Sequence, residues 1–118
     1  MNVVAIIQSR MGSTRLPGKA MAEIAPGVPL LSEVIHRVLK AKTVNKVCVA
    51  TTFEAEDDVI ANLAATIGVY CVRGPVLDVL SRFTRAAIVM KADVVVRICG
   101  DCPILDPAII DLCVETLL

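Results

Sequence analysis

Apolar and polar positions follow two rhythms along this chain. Short continuous apolar runs at residues 3–7, 46–51, 69–72 and 92–98 predict buried strands. Between them, apolar residues recur every three or four positions, which predicts helices. The first helix has Pro29 in its first turn and a stripe of Leu30, Leu31, Val34, Ile35, Val38 and Leu39. A second, at residues 54–67, turns Val59, Ile60, Leu63, Ala64 and Ile67 inward and stops at Gly68. A third, at residues 76–91, packs through Leu77, Leu80, Phe83, Ala87 and Ile88. A last helix is capped by Asp106, starts with Pro107 and carries a stripe of Ile109, Ile110, Cys113, Val114 and Leu117. Ala25-Pro26-Gly27-Val28-Pro29 reads as turn chemistry. Strand and helix alternate without an internal repeat or linker. That pattern predicts one α/β domain over residues 1–118, with a mainly parallel sheet between flanking helices, in three layers.

In such sheets ligands bind at the carboxyl ends of the strands, and three polar features fall there. The first strand runs into Gln8-Ser9-Arg10-Met11-Gly12-Ser13-Thr14-Arg15-Leu16-Pro17-Gly18-Lys19. Arg10, Arg15 and Lys19 supply three cations, and no acid follows until Glu23. Gly12 and Gly18 let the backbone bend or approach a ligand, and Ser13 and Thr14 add hydroxyl donors. Backbone amides and cations together suit several phosphates at once; the plain alternative is a basic surface loop. It is not a Walker A loop, because five residues separate Gly12 from Gly18 and Ala20 follows Lys19. Nor is there a G-x-G-x-x-G fingerprint. The second feature is Arg73, which with Gly74 and Pro75 ends the third strand. The third is Asp101, in Gly100-Asp101-Cys102-Pro103 after the fourth. A carboxylate beside a polyphosphate suggests Mg²⁺, which prefers one or two carboxylates plus phosphate oxygens; the alternative is a turn-forming aspartate.

Composition narrows the partners. The 12 basic and 12 acidic residues balance, which argues against broad nucleic-acid binding. Aromatics make up only 3%, too few for stacking platforms. The chain is 56% hydrophobic with a mean hydropathy of +0.73, yet charges interrupt every apolar run short of a membrane span. A buried parallel sheet accounts for this, as does a piece of a larger core. Five cysteines, an odd number, read as buried reduced thiols of a cytoplasmic protein. Cys99-x-x-Cys102 has metal or redox spacing but no second pair and no nearby histidine. Met1 opens directly into an apolar strand, without a basic region or cleavage site, so no signal peptide is expected. His36, the only histidine, falls on a helix flank as a surface residue. Asp78, Arg82 and Arg85 share a polar helix face and read as an ion-pair row.

Taken together, Ile6 through Lys19, Val49-Ala50-Thr51-Thr52, Arg73-Gly74 with Asp78-Val79-Leu80-Ser81-Arg82-Phe83, and Val96-Arg97-Ile98-Cys99-Gly100-Asp101-Cys102-Pro103 resemble the cytidylyltransferases that activate acidic sugars. The likeness is greatest to the branch named for spore coat polysaccharide biosynthesis protein F, and it spans essentially the whole chain. The resemblance implies a Rossmann-like nucleotidyltransferase fold. It implies CMP transfer from CTP to a sugar acceptor with release of pyrophosphate, in surface or spore polysaccharide synthesis. Arg10, Ser13 and Lys19 would contact the triphosphate, within a nucleotide site of Gln8, Ser9, Arg10, Gly12, Ser13, Thr14, Arg15, Lys19, Arg73 and Gly74. Arg73 and the backbone around Gln8 and Ser9 would lie near the base or ribose. Asp101 would bind Mg²⁺, making Arg10, Lys19 and Asp101 the catalytic set. Ser9 stands where alanine is usual in this branch, and Cys99 where threonine is usual. Members of the family continue well beyond Leu118. That further length would supply more strands, much of the sugar pocket, a second carboxylate and the contact of a homodimer. A nucleotide-binding module without turnover, an assembly subunit that needs a partner, and a different base such as GTP remain as alternatives.

Overall fold

The structure, a computed structural model, describes residues 1–12, 18–101 and 105–118. Its centre is β1 (Val3–Gln8), in which Val4, Ala5, Ile6 and Ile7 are completely buried. This strand pairs in parallel with β4 (Lys46–Thr52) on one side and with β6 (Val94–Cys99) on the other. β5 (Tyr70–Gly74) pairs in parallel with β4, giving the order β5-β4-β1-β6. A strand covered on both faces gains nothing from alternation, which is why β1 and β4 read as unbroken apolar runs.

The chain leaves β1, moves outward through β4 to β5, then returns across the sheet to β6. Right-handed crossovers in opposite directions place helices on opposite faces. Accordingly α1 (Leu30–Leu39), α2 (Asp58–Ile67) and α4 (Pro107–Leu117) share a core with Ala5, Ile7, Val47 and Val49. Among the described elements, α3 (Val79–Met90) alone packs on the other face, through Phe83, Ala86 and Met90 against Val4, Ile6, Cys48, Ala50 and Val72. The reversal of direction at β1 opens a crevice at the carboxyl ends of β1 and β6.

Several expectations need correction. Two strands too short for any periodicity, β2 (Glu23–Ala25) and β3 (Val28–Pro29), form an antiparallel hairpin around the expected turn. Pro29 caps α1 rather than entering it. A 3-10 turn at Ala55–Asp57 precedes α2. Val79, not residue 76, begins α3. Leu77, Leu80 and Ile88 are exposed; Phe83 is buried and Ala87 packs beside it as expected, and α3 also buries Arg82, Ala86 and Met90. Leu77 lies before α3 rather than on it. Leu39, Val59, Ile109 and Leu117 are also exposed, at the margins of their helices' buried faces. Of the cysteines, only Cys48 among those described is fully buried, and burial, then Cys71, pushes its thiol up to about 12. Cys99 and Cys113 are exposed, on an edge strand and the outer side of α4. His36 is on the surface, as expected.

On the α3 face β6 is left uncovered. Val95 and Cys99 are exposed there, and Arg97 lies over the Phe83 ring at 4.4 Å. No helix among the described residues is long and apolar enough to cross a membrane.

Ile7→Ala empties space in a filled core and is expected to lower the unfolding free energy by about 2–5 kcal/mol. Leu117→Ala, at an exposed site, should cost no more than about 0.5 kcal/mol. Urea unfolding of the two variants checks this burial map.

Candidate active site

The site is assembled by contact between the ends of β1 and β6. Gly100 donates its N–H to the Gln8 carbonyl at 2.8 Å. A Cβ on Gly100 would lie 2.6 Å from that carbonyl oxygen and 2.9 Å from Ser9 Cβ, so only glycine fits. This approach sets Asp101 beside the loop after β1. Ser9 is buried and ties that loop to β4 by donating its N–H to Ala50 O at 3.1 Å.

The loop is fastened at both of its described ends. Met11 donates its N–H to Asp57 Oδ1 at 2.7 Å, and Gly18 donates to Met11 O at 2.8 Å. Gly18 has φ 77°, a left-handed turn that suits glycine. Arg10 Nη1 donates to Gly12 O at 2.9 Å. Lys19, in a 3-10 turn (Lys19–Met21), extends its ammonium to 3.7 Å from Asp101 Oδ2. The other carboxylate oxygen, Oδ1, accepts from the Cys99 thiol at 2.5 Å. That hydrogen bond holds the Asp101 carboxyl below the usual aspartate range; burial opposes it, and the Lys19 charge adds to the lowering. Asp101 is therefore an ionised, partly exposed carboxylate beside a cation.

Arg73 reaches the same strand ends, but its nitrogens are engaged. Nε donates to Thr52 O at 2.6 Å, Nη2 to Glu54 O at 2.9 Å, and Nη1 pairs with Asp58 at 2.9 Å. Gly74, the last residue of β5, packs against the stem of Arg82. Ser13, Thr14, Arg15 and Cys102 lie outside the described residues.

The sequence reading does not single out Asp57, and it takes Arg82 for a cation on a polar helix face. Asp57 is buried, and it accepts from the Thr52 hydroxyl as well as from Met11 N–H. Its one signal is its place in the acidic stretch that follows Thr51-Thr52. Arg82 does not join the expected ion-pair row. Asp78 caps α3 by accepting from Ser81 N, and Arg85 lies 5.3 Å from the Phe53 ring. Arg82 turns inward and is 1% exposed, with Nη1 donating to Pro75 O and Val76 O. Burial, followed by the charge of Arg10, lowers its pKa, while Asp57 and Asp78 oppose this. The usable signal was spacing, since Arg82 is four residues before Ala86 and adjoins Phe83 on the packed stripe.

Among the described residues, no group of three or more His, Cys, Asp or Glu could enclose a metal ion. A cation held by one protein carboxylate and by ligand phosphates needs no such cage. Asp101, half exposed and ionised, fits that arrangement.

Residues 4–118 match the family profile described as Cytidylyltransferase. The chain belongs to the cytidylyltransferase family. It is 33% identical over 118 residues to the spore coat polysaccharide biosynthesis protein SpsF of Bacillus subtilis, covering 97% of this chain and 49% of that protein. It is 36% identical over 123 residues to the 3-deoxy-manno-octulosonate cytidylyltransferase of Trichlorobacter lovleyi, covering 100% and 46%. The solved structure of a cytidylyltransferase from Leptospira borgpetersenii superposes with a TM-score of 0.93 at 39% identity, covering 98% of this chain and 48% of that one. The fold is thus the Rossmann-like one expected of cytidylyltransferases. The chain spans about half the length of the relatives it matches.

Because the thiol contact is the larger influence on Asp101, Cys99→Ala should raise its titration point toward the ordinary aspartate range by more than Lys19→Met does. The stability that this group adds is present above the ordinary range and is lost as pH falls through its lowered folded value. Carbon-detected NMR titration of the Asp101 carboxyl in parent and variants checks the order.

Proposed function

We propose that residues 1–118 form the nucleotide-binding domain of a Mg²⁺-dependent sugar cytidylyltransferase. The observation that carries this reading is the Lys19–Asp101 pair at the crevice between β1 and β6. A cation for phosphate and a carboxylate for metal meet there, in a chain of the cytidylyltransferase family. The reaction is attack of an acceptor sugar hydroxyl on the α-phosphorus of CTP, with release of pyrophosphate. Bound Mg²⁺ would neutralise charge on the phosphate oxygens, with Asp101 as its protein ligand.

The rest is positioning and charge. Arg10 and Lys19 hold the phosphates, together with backbone amides around Gln8, Ser9 and Gly12 and the side chains of Ser13, Thr14 and Arg15. Such fixed charges favour the negative charge that develops during transfer and need no covalent nucleophile. Arg73 and Gly74 border the nucleoside end of the site. Lys19 and Asp101 pair at 3.7 Å; phosphate oxygens would take Lys19 and leave Asp101 to the cation. Surface polysaccharide synthesis in the cytoplasm suits the relatives named for spore coat and octulosonate chemistry. The bare apolar side chains of α3 and β6 suit a homodimer contact.

A second reading, nucleotide binding without turnover, is favoured by one fact: the chain spans about half of its relatives' length. Product formation from CTP and an acidic sugar separates the two.

Calorimetric titration with CTP, GTP, ATP and UTP, with and without Mg²⁺, tests the nucleotide reading. Selective, metal-dependent binding of CTP is expected. Arg10→Ala and Lys19→Ala should each weaken it by roughly 1.5–3 kcal/mol, the worth of a charged hydrogen bond. Asp101→Asn should abolish the response to Mg²⁺. Unchanged CTP affinity in both cation variants would overturn the phosphate assignment.

A further inference from the structure

The outward side of α3 carries a pattern that reads the same from both ends. Leu77, Ser81, Thr84 and Ile88 recur at spacings of four, three and four, so they fall on one line along the helix and the turn that leads into it. Leu77 is 95% exposed, Ile88 71%, and Leu80 beside the line 72%. Large apolar side chains grouped in this way mark an interface, unlike single ones scattered over a surface. An open groove of about 540 Å³ follows this face, lined in part by Asp78, Leu80, Ser81, Thr84, Arg85 and Ile88. The large residues Leu77 and Ile88 stand at the two ends of the line, with the small Ser81 and Thr84 at its middle. The exposed charges between residues 77 and 89 are Asp78 and Arg85, of opposite sign and seven residues apart, so they share one flank of the line. Asp78 caps the helix through Ser81 N, and Arg85 lies 5.3 Å from the Phe53 ring; neither forms an ion pair among the described residues.

We propose that this face pairs with α3 of a second copy of the chain, antiparallel across a two-fold axis. The inference deepens the homodimer reading above and rests on it; the nucleotide reading does not enter. Turning one helix end for end about the midpoint between Ser81 and Thr84 sets Leu77 against Ile88 of the partner subunit. The same turn sets Ser81 against Thr84 of the partner subunit and brings Asp78 near Arg85 of the partner subunit. The axis then repeats every pair, as an isologous contact requires. Small side chains at the middle let the helices approach closely, and the apolar ends fill the space on either side. Opposite charges along the flank and opposed helix dipoles both favour this direction. A parallel pairing would set each charge at the level of its own kind. One helix pair is a small contact, so the dimer is a weak one that depends on concentration.

Sedimentation velocity of the 118-residue chain over a range of concentrations tests the contact. The parent should pass from monomer to dimer and stop there, because a two-fold contact is closed. Ile88→Glu, at an exposed position, should leave the monomer folded and raise the dimer dissociation constant at least about tenfold. Asp78→Arg and Arg85→Asp should each raise it at least about tenfold, by setting like charges together. The double variant, with the pair reversed, should return to within about threefold of the parent. Asp78 also caps α3, and the cap is missing in the double variant too, so recovery separates charge pairing from the loss of a cap. If Asp78→Arg does not fold, Arg85→Asp and Ile88→Glu decide. Weakening in the single variants without recovery in the double would overturn the antiparallel pairing. A parent dimer that none of these variants weakens would overturn the α3 contact and leave the homodimer reading standing. A parent that stays monomeric at millimolar concentration would overturn both, and assembly past the dimer would overturn the two-fold contact.

Discussion

The carbonyl of Gln8 leaves no room for a side chain at position 100, and the site depends on that crowding. Hydrogen bonding between Gly100 and Gln8 continues the β1–β6 ladder one step past the strands. It thereby holds the turn containing Asp101 against the loop containing Lys19. A larger residue at 100 would push the β6 end away from Ser9 and separate the two charges. The charge chemistry of the site is in this sense a consequence of backbone packing between two parallel strands.

A second set of contacts fixes the loop from the opposite side. Asp57, buried at the start of α2, holds Met11 and Thr52 together, and Arg73 straps the end of β5 to the chain leaving β4. Each strand end is therefore tied to its neighbour by a polar group with defined partners, as buried polar groups require. Among the described residues the exceptions are Thr51 Oγ1 and the Nε and Nη2 of Arg82, which are buried without a hydrogen-bond partner. Preorganised charges of this kind favour a bound anion or polar ring because little has to reorient when the ligand arrives.

The two faces of the sheet differ in completeness. Among the described residues, α1, α2 and α4 pack on one face, whereas α3 alone covers the other and leaves Val95, Leu80, Ile88 and Val89 exposed. This explains how a high mean hydropathy coexists with a sheet whose centre is well buried.

The four parallel strands, the four helices and the placing of the Arg10–Lys19 loop and Asp101 at strand ends were all legible in the residues. They follow from local rules: strands buried on both faces are continuously apolar, helices repeat near 3.6, and ligands gather where strands end. Lys19 and Asp101 are 82 residues apart in the chain (101 − 19), yet the β-α alternation was enough to bring them to one edge. The hairpin at β2 and β3 was beyond such rules, being too short to show a period. Arg82 passes for a surface cation because of its charge, although it adjoins Phe83 on the packed stripe, and Leu77 lies before α3 rather than on it. Asp57 gave no local sign of burial. Whether a charged side chain is inside depends on what other elements bring to it: Gly74 from β5, Thr52 from β4 and Met11 from the loop after β1. The sequence alone determined which end of the sheet gathers Lys19, Asp101 and Arg73. Only the tertiary structure decided which charges are occupied and which remain available to a ligand, because partners distant in sequence set that balance.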